Sequence, residues 1–497
     1  MKNIAIAAAV GAVLVAASAH AATVDVYVSG SSAAKTFFQK DVQNFFGGTT
    51  SAPVAIYTYK DPSKTLQPDY SVISVVVANN QGVSGLNTGD TLNVHYAAEL
   101  GSVWGVAATY SPTAATRAHL AITGACAVSG TTSTGVTNYS CAGSNFNHVS
   151  DTDGGTSMVQ AAGDLLVTDV EPALFTADNW PTANTDTTLI PAKLGAAPTA
   201  AQITTATNAM QPLVGQLFSV IGHNIPGVAD NTRVNLSTTS LRGILTGNYA
   251  TWNQVPEVGS NDAAGTPIFV CRRDHGSGTE ISASITFTGS ECNVAATQPI
   301  APQQANGDFF ENPSTSDMVN CVAGVNSVGA GTIGFRSATS PSSTTADGKG
   351  NGPFAVFNID GVEPNAHNAA AGIYAFAYEA FAATTGAHPG VAANVAAKLQ
   401  ARSASQAALG TYSSFQEATA SRVSYNAAFA GQSNANVGTF VTTTGAGTKW
   451  NAISGVYPLQ VGSNASTASG LVTDKTPAAL FTRSGNSCAA KINNNAN

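Results

Sequence analysis

Three times in this chain a strand-like run ends in a short loop of small polar residues and gives way to a helix-like run. The first is VSGSSAAKTFF, with Ser29, Gly30, Ser31 and Ser32 in the loop. The second is SDTDGGTSMVQAAGD, with Gly154, Gly155, Thr156 and Ser157. The third is CRRDHGSGTEISAS, which starts at Cys271. A helix that begins directly after such a loop leaves its first N–H groups without intrahelical partners, at the positive end of the dipole. Small residues let a guest approach those amides and hydroxyls add donors, so such loops suit oxyanions. Each is also an ordinary helix start. Ser277-Gly278-Thr279-Glu280 reads as a capping box, and Ser31 and Ser32 are cap candidates. The two readings are compatible, because the same outward amides serve both.

The alternation continues along the chain. Residues 23–30, 215–224, 266–274 and 328–337 read as strands, while 33–46, the start of 238–255 and 391–410 read as helices. Strands alternating with helices predict an α/β fold with mainly parallel sheets. Residues 50–150 break the pattern: they are rich in Thr, Ser, Gly and Val, with little helical signal, and predict a β-rich insertion. Residues 337–353 read as a surface loop.

Lys2 is followed by an almost wholly apolar stretch over 4–17 and by Ala19-His20-Ala21, the pattern of a secretory signal peptide cleaved after Ala21. That stretch is too short to span a bilayer, and no later one predicts a membrane span. Losing Lys2 would take the net charge from −8 to −9. A mildly acidic chain with 10% charged residues lacks the basic stripe that nucleic acid requires. Low charge with much Ser, Thr, Asn and Gly fits an exported protein, and also a subunit of a surface assembly. Six cysteines in an exported chain predict disulfides. Cys126 and Cys141 bracket a turn-rich segment and should staple a hairpin. Cys271, Cys292, Cys321 and Cys488 allow three pairings, and no C-x-x-C motif suggests a redox or zinc role.

Asp169 ends the apolar run of LLVTDVEPALF, where a lone carboxylate is unfavourable without a partner. It either caps the next short helix or faces a ligand at the carboxyl end of a parallel strand. No nucleophile elbow surrounds Ser277, since His275 stands where a glycine is required, and His275 has no third member for a triad. Enzymatic activity, a metal and a cofactor are therefore not expected.

Taken in order, these segments resemble the phosphate-binding, PstS-like group of type II periplasmic binding proteins. VYVSGSSAAKTFF, LLVTDVEPALF, LRGILTGNYATWNQV, RRDHGSGTEISAS and CVAGVNSVGAGTIGFRS match that family's motifs in its order, over about 24–47 and 151–336. The resemblance implies a two-lobed fold, with the β-rich insertion in the first lobe. Residues 22–221 and 334–497 would form lobe 1 with a C-terminal extension, and 222–333 lobe 2. It also implies a captured oxyanion, phosphate foremost, delivered to an ABC permease from the periplasm or outside the cell. Carried over by position, Arg273 is the charged partner, Ser277, Gly278 and Thr279 form the anion loop, and Asp169 accepts the ligand's proton. Ser31, Ser32 and Ala34 mark the first loop, and Thr152 and Asp153 fall near the ligand in the second. His275 departs from the family's aspartate, and Asp151 and Asp153 add negative charge. The alternative is an extracellular structural or adhesion protein that keeps the fold without a ligand.

Overall fold

The computed structural model describes residues 21–47, 53–63, 68–181 (save 124, 133, 134 and 156), 192–229, 232–292, 300, 308–324, 331–337, 354–364, 369 and 374–403, with a few short pieces beyond. The expected signal peptide, the 337–353 loop and most of the C-terminal extension lie outside the described residues. The fold is mixed α/β, built on one large sheet.

The first part of the chain gives β1 (Thr23–Gly30), α1 (Lys35–Phe46), β2 (Val54–Lys60), β3 (Tyr70–Val76), β4 (Thr91–Ala97), α2 (Val103–Ala107) and α3 (Pro112–Ala115). It continues through β5 (Thr116–Leu120), β6 (Cys126–Thr131), β7 (Val136–Ala142), β8 (Met158–Ala162), β9 (Leu165–Thr168) and α4 (Ala200–Ala209). Then come β10 (Gln211–His223), β11 (Arg233–Leu236), α5 (Thr238–Leu245), β12 (Phe269–Arg273), α6 (Gly278–Ala283), β13 (Phe309–Asn312) and α7 (Thr315–Val322). Three strands follow, β14 (Thr332–Ser337), β15 (Ala355–Ile359) and β16 (Ala377–Thr384), and then a helix over Val391–Ser403.

The strand order is β13-β12-β14-β10-β16-β9-β1-β4-β3-β2-β7-β6, with β15 pairing β10 and β11. β-Branched residues drive β1 into the sheet interior, where Val26 and Val28 are wholly buried. In α1, Phe37, Phe38, Val42 and Phe46 form the inward face. The long strand β10 is central to the sheet. Its first residues pair with β16, and Phe218–His223 pair with β14. Within that pairing Val220 lies opposite Phe335 and Ile221 opposite Gly334. After β14, β15 pairs with β10 and β11, and β16 pairs with β9.

Residues 50–150 are β-rich but are no detached appendage. β4 pairs in parallel with β1 across seven residues, and β3 and β2 extend the same sheet outward. The hairpin β6–β7 carries the Cys126–Cys141 disulfide at its edge. The remaining cysteines pair as Cys271–Cys321, joining β12 to α7, and Cys292–Cys488. Cys271 and Cys321 are 50 residues apart and both are buried. On the chain-entropy argument a loop of that size stabilises the native state by about 4 kcal/mol. The double substitution to serine should lower the urea midpoint by a corresponding amount. An unchanged midpoint would contradict that estimate.

Candidate functional site

Five strands aim their carboxyl ends at one place. β4 and β9 flank β1 in parallel, and β13 lies parallel to β12. After β1 come Ser31 and Ser32, after β4 Gly101 and Ser102, and after β9 Asp169. The end of β12 supplies Arg273 and the 274–279 loop, and that of β13 leads to Thr315. In open α/β sheets the chain turns away at these ends, leaving backbone and side chains facing a crevice. Two glycines let the halves touch. A Cβ on Gly101 would lie 3.4 Å from Arg273 Nη2 and 3.6 Å from Ser277 Cα. One on Gly278 would stand 2.6 Å from both Asp169 Cβ and Ser102 Oγ, closer than atoms can pack.

Arg273 is fully buried, and each of its five N–H groups has an acceptor. Nε donates to Asn312 O at 3.0 Å, and Nη2 to Pro313 O at 2.9 Å and Asp274 Oδ1 at 3.3 Å. Nη1 donates to Ser32 Oγ at 2.9 Å and Thr315 Oγ1 at 3.1 Å. The hydroxyls of Ser32 and Thr315 also bond one another at 3.0 Å, across 283 residues of sequence.

The 276–279 loop departs from the expected capping box. Ser277 is the N-cap residue, yet its side chain makes no cap hydrogen bond. Glu280 does not reach back to it: its Oε2 accepts from the Arg273 amide at 3.1 Å, and Oε1 lies 3.3 Å from Arg272 Nε. The pull of two arginine groups outcompetes the neutral cap. Ser277 Oγ and Thr279 Oγ1 are buried without a hydrogen-bond partner among the described residues. Buried hydroxyls in that condition are uncommon and unfavourable.

Asp169 faces the loop. It accepts from Ser31 Oγ and, at 3.2 Å, from Ser102 Oγ, while its amide donates to Ser102 Oγ at 3.0 Å. Its side chain thus does not cap the short turn at Pro172–Leu174, whose N-cap is Glu171. Burial pushes its carboxyl up to about 6, although Ser31, the Arg273 charge, Ser102 and Gln216 all pull the other way. Ala34 caps α1, and its amide donates to Ser31 Oγ at 3.0 Å. His275 sits beside the loop between Arg272 Nη2 at 3.0 Å and Glu311 Oε1 at 3.2 Å.

The sequence-predicted residues Ser31, Ser32, Asp169, Arg273, Ser277, Gly278 and Thr279 are thus brought together. Thr152 and Asp153 are not joined to them. Asp153 accepts from Tyr59 Oη at 3.0 Å and the Ser144 amide at 2.8 Å. Thr152 pairs with Asn147 as an isolated bridge. The helix expected after that loop is instead β8, antiparallel to β5, so no helix start exists there to hold an anion. Asp151 is drawn into a different buried group, with Tyr70 Oη at 2.6 Å, the Ala118 amide at 2.7 Å and Arg117 at 3.7 Å. Its charge is matched by Arg117 and by Lys193 at 3.6 Å.

Two members of the cluster escaped sequence reasoning. Ser102 lies in a stretch read as insertion, although Gly101-Ser102 after the alternating run LNVHYA is the same strand and small-residue loop seen elsewhere. Thr315 lies within FFENPSTSD, a short aromatic strand, a proline and a Ser-x-x-Asp helix start. That start is realised: Ser314 Oγ accepts from the Asp317 amide at 3.0 Å.

No family model matches the sequence, and no curated protein matches it. Several solved structures are similar at a distance. One is described as a putative phosphate ABC transporter substrate-binding protein with bound phosphate from Clostridium perfringens. It is 11% identical, with 78% of this chain and 96% of that one covered and a TM-score of 0.39. A high affinity periplasmic phosphate-binding protein, PfluDING, is 14% identical over 73% of this chain and 80% of its own, with a TM-score of 0.37. A possible phosphate binding protein from Planctomyces limnophilus is 11% identical over 82% and 98%, with a TM-score of 0.34.

Proposed function

We propose that this protein captures a small tetrahedral oxyanion, phosphate foremost, between two lobes that hinge about β10. In this reading it is an exported, non-enzymatic solute-binding protein that serves an ABC-type permease. The lobes divide so that the strand ends of β1, β4 and β9 face those of β12 and β13. A loop from each side then closes on one ligand.

One observation carries the reading. A fully buried guanidinium ends β12, and in the loop that follows it the buried hydroxyls of Ser277 and Thr279 have no partner among the described residues. Two such groups next to a positive charge are satisfied together by a single multi-oxygen anion. Asp169, opposite, can accept a proton from a protonated ligand while ionised. Asp274 offsets part of the Arg273 charge, which favours a ligand that arrives with a proton over a bare dianion.

The occupied state of Arg273 favours a second reading. With all five N–H groups satisfied by the protein, the same contacts would serve as a static clasp in an extracellular structural protein. Thermal melting separates the two. Phosphate at about 1,000 times its Kd should add about 4 kcal/mol of stability to a binding protein. A melting curve untouched by millimolar phosphate, arsenate and sulfate would leave the clasp as the function.

A further inference from the structure

We infer that Thr315 is a ligand-contact residue of this site, and that Arg273 acts on the ligand through the Thr315 and Ser32 hydroxyls rather than through its own N–H groups. This rests on the oxyanion-binding reading above and specifies how that site is built.

The two hydroxyls each accept one N–H from Arg273 Nη1. They share a single hydrogen bond with each other, which uses one of their two hydroxyl hydrogens. With Ser32 as the donor of that bond, the Thr315 hydrogen has no acceptor among the described residues, where neither oxygen has any further partner. Both side chains are at least nine-tenths buried, so water does not readily supply one. That hydrogen joins the Ser277 and Thr279 hydroxyls as a third donor without an acceptor at the same strand ends. An oxyanion can accept from all three without breaking any bond that Arg273 now makes. A hydroxyl accepting from a cation is polarised and becomes a stronger donor, so the charge of Arg273 still reaches the ligand.

This arrangement also explains the chain connectivity. Ser32 follows β1 and Thr315 opens α7, so their mutual hydrogen bond spans the two lobes. The donor they hold out exists only when the lobes are together. Binding and closure are then linked through one hydrogen bond rather than through a moving arginine.

The test is titration of the full-length protein with inorganic phosphate, read by calorimetry and by urea unfolding without ligand. Thr315→Val keeps the branched shape and removes the hydroxyl. It should weaken phosphate binding about 10- to 100-fold, the worth of one hydrogen bond to a charged group. Thr315→Ser restores the hydroxyl and should recover most of the affinity. A purely structural role for Thr315 would lower the urea midpoint of the free protein but leave the affinity of the folded fraction intact. Should Thr315→Val lose its cooperative unfolding, Thr315→Cys gives the same comparison with a weak thiol donor and should lose affinity in the same direction. Wild-type affinity in Thr315→Val, or equal affinities in the Val, Cys and Ser variants, would overturn the inference and leave oxyanion binding standing. A wild-type protein that binds no phosphate would remove both.

Discussion

Arg273→Ala is expected to destabilise the free protein by about 3–5 kcal/mol and to erase any stabilisation by phosphate. The first effect follows from what the guanidinium holds. Its removal strips Asp274 of a buried ion pair and frees the acceptors on Asn312, Pro313, Ser32 and Thr315 at once. Breaking a buried pair from one side is strongly destabilising, which accounts for the size of the penalty. The second effect follows because the Ser32 and Thr315 hydroxyls would lose both their orientation and their polarising charge. Arg273→Lys separates the two consequences. Lysine keeps the positive charge but offers three donors on one flexible atom in place of a planar fork. It should retain most of the stability and still reduce phosphate affinity at least about tenfold, one lost charge-assisted hydrogen bond's worth. Urea unfolding and phosphate titration of both variants check this. An alanine variant that melts like the wild type, or that still responds to phosphate, would show that Arg273 is not the centre of the site.

How far the sequence reached is clearest at single residues. Arg273, Ser277 and Asp169 were legible because each sits at a change of local code, where β-branched alternation stops and small or charged residues begin. Those changes mark strand ends, and strand ends are where α/β sheets expose groups. Ser102 was hidden by composition: Thr, Ser and Gly richness over 50–150 masked the fact that β4 is an inner strand beside β1. The failed helix after Thr152 has the opposite cause. TSMVQAAG carries apolar residues compatible with either period, and pairing with β5 decided the outcome. Long-range pairing is not written in any one window of sequence. The same holds for Glu280, whose position in a capping box is regular while its actual partners, Arg272 and the Arg273 amide, lie on the preceding strand.

Disulfide pairing shows the same limit. Cys126 and Cys141 face each other across a hairpin that a local pattern reveals. Cys271 and Cys321 pair because β12 and α7 pack together, a relation set by long-range packing rather than local pattern.

Asp169→Asn should separate stability from binding in opposite directions. Burial holds the native carboxyl near 6, above its ordinary value of 3.8. The folded protein therefore binds a proton more tightly than the unfolded chain does, and its stability falls as pH rises from about 4 to about 6. Above that window the ionised carboxylate costs about 3 kcal/mol relative to its neutral form, at about 1.4 kcal/mol per pH unit of displacement. Asparagine has the same shape and no charge, and its amide can donate to the Ser31 and Ser102 oxygens. At pH 7 the free variant should be more stable than the wild type by up to that amount, and the two should converge near pH 4. Phosphate binding should change the other way. The variant loses the acceptor for the ligand's proton and should bind phosphate about 10- to 100-fold more weakly, whereas sulfate, which brings no proton at neutral pH, should not be penalised. A group kept ionised against its own burial is the expected signature of a site built for a guest, since the carboxylate is unfavourable in the empty protein and useful only in the filled one. Urea midpoints from pH 4 to 8 and paired titrations with the two anions check both halves. A variant less stable than the wild type at pH 7, with unchanged phosphate affinity, would make Asp169 a structural anchor for Ser31 and Ser102 and nothing more.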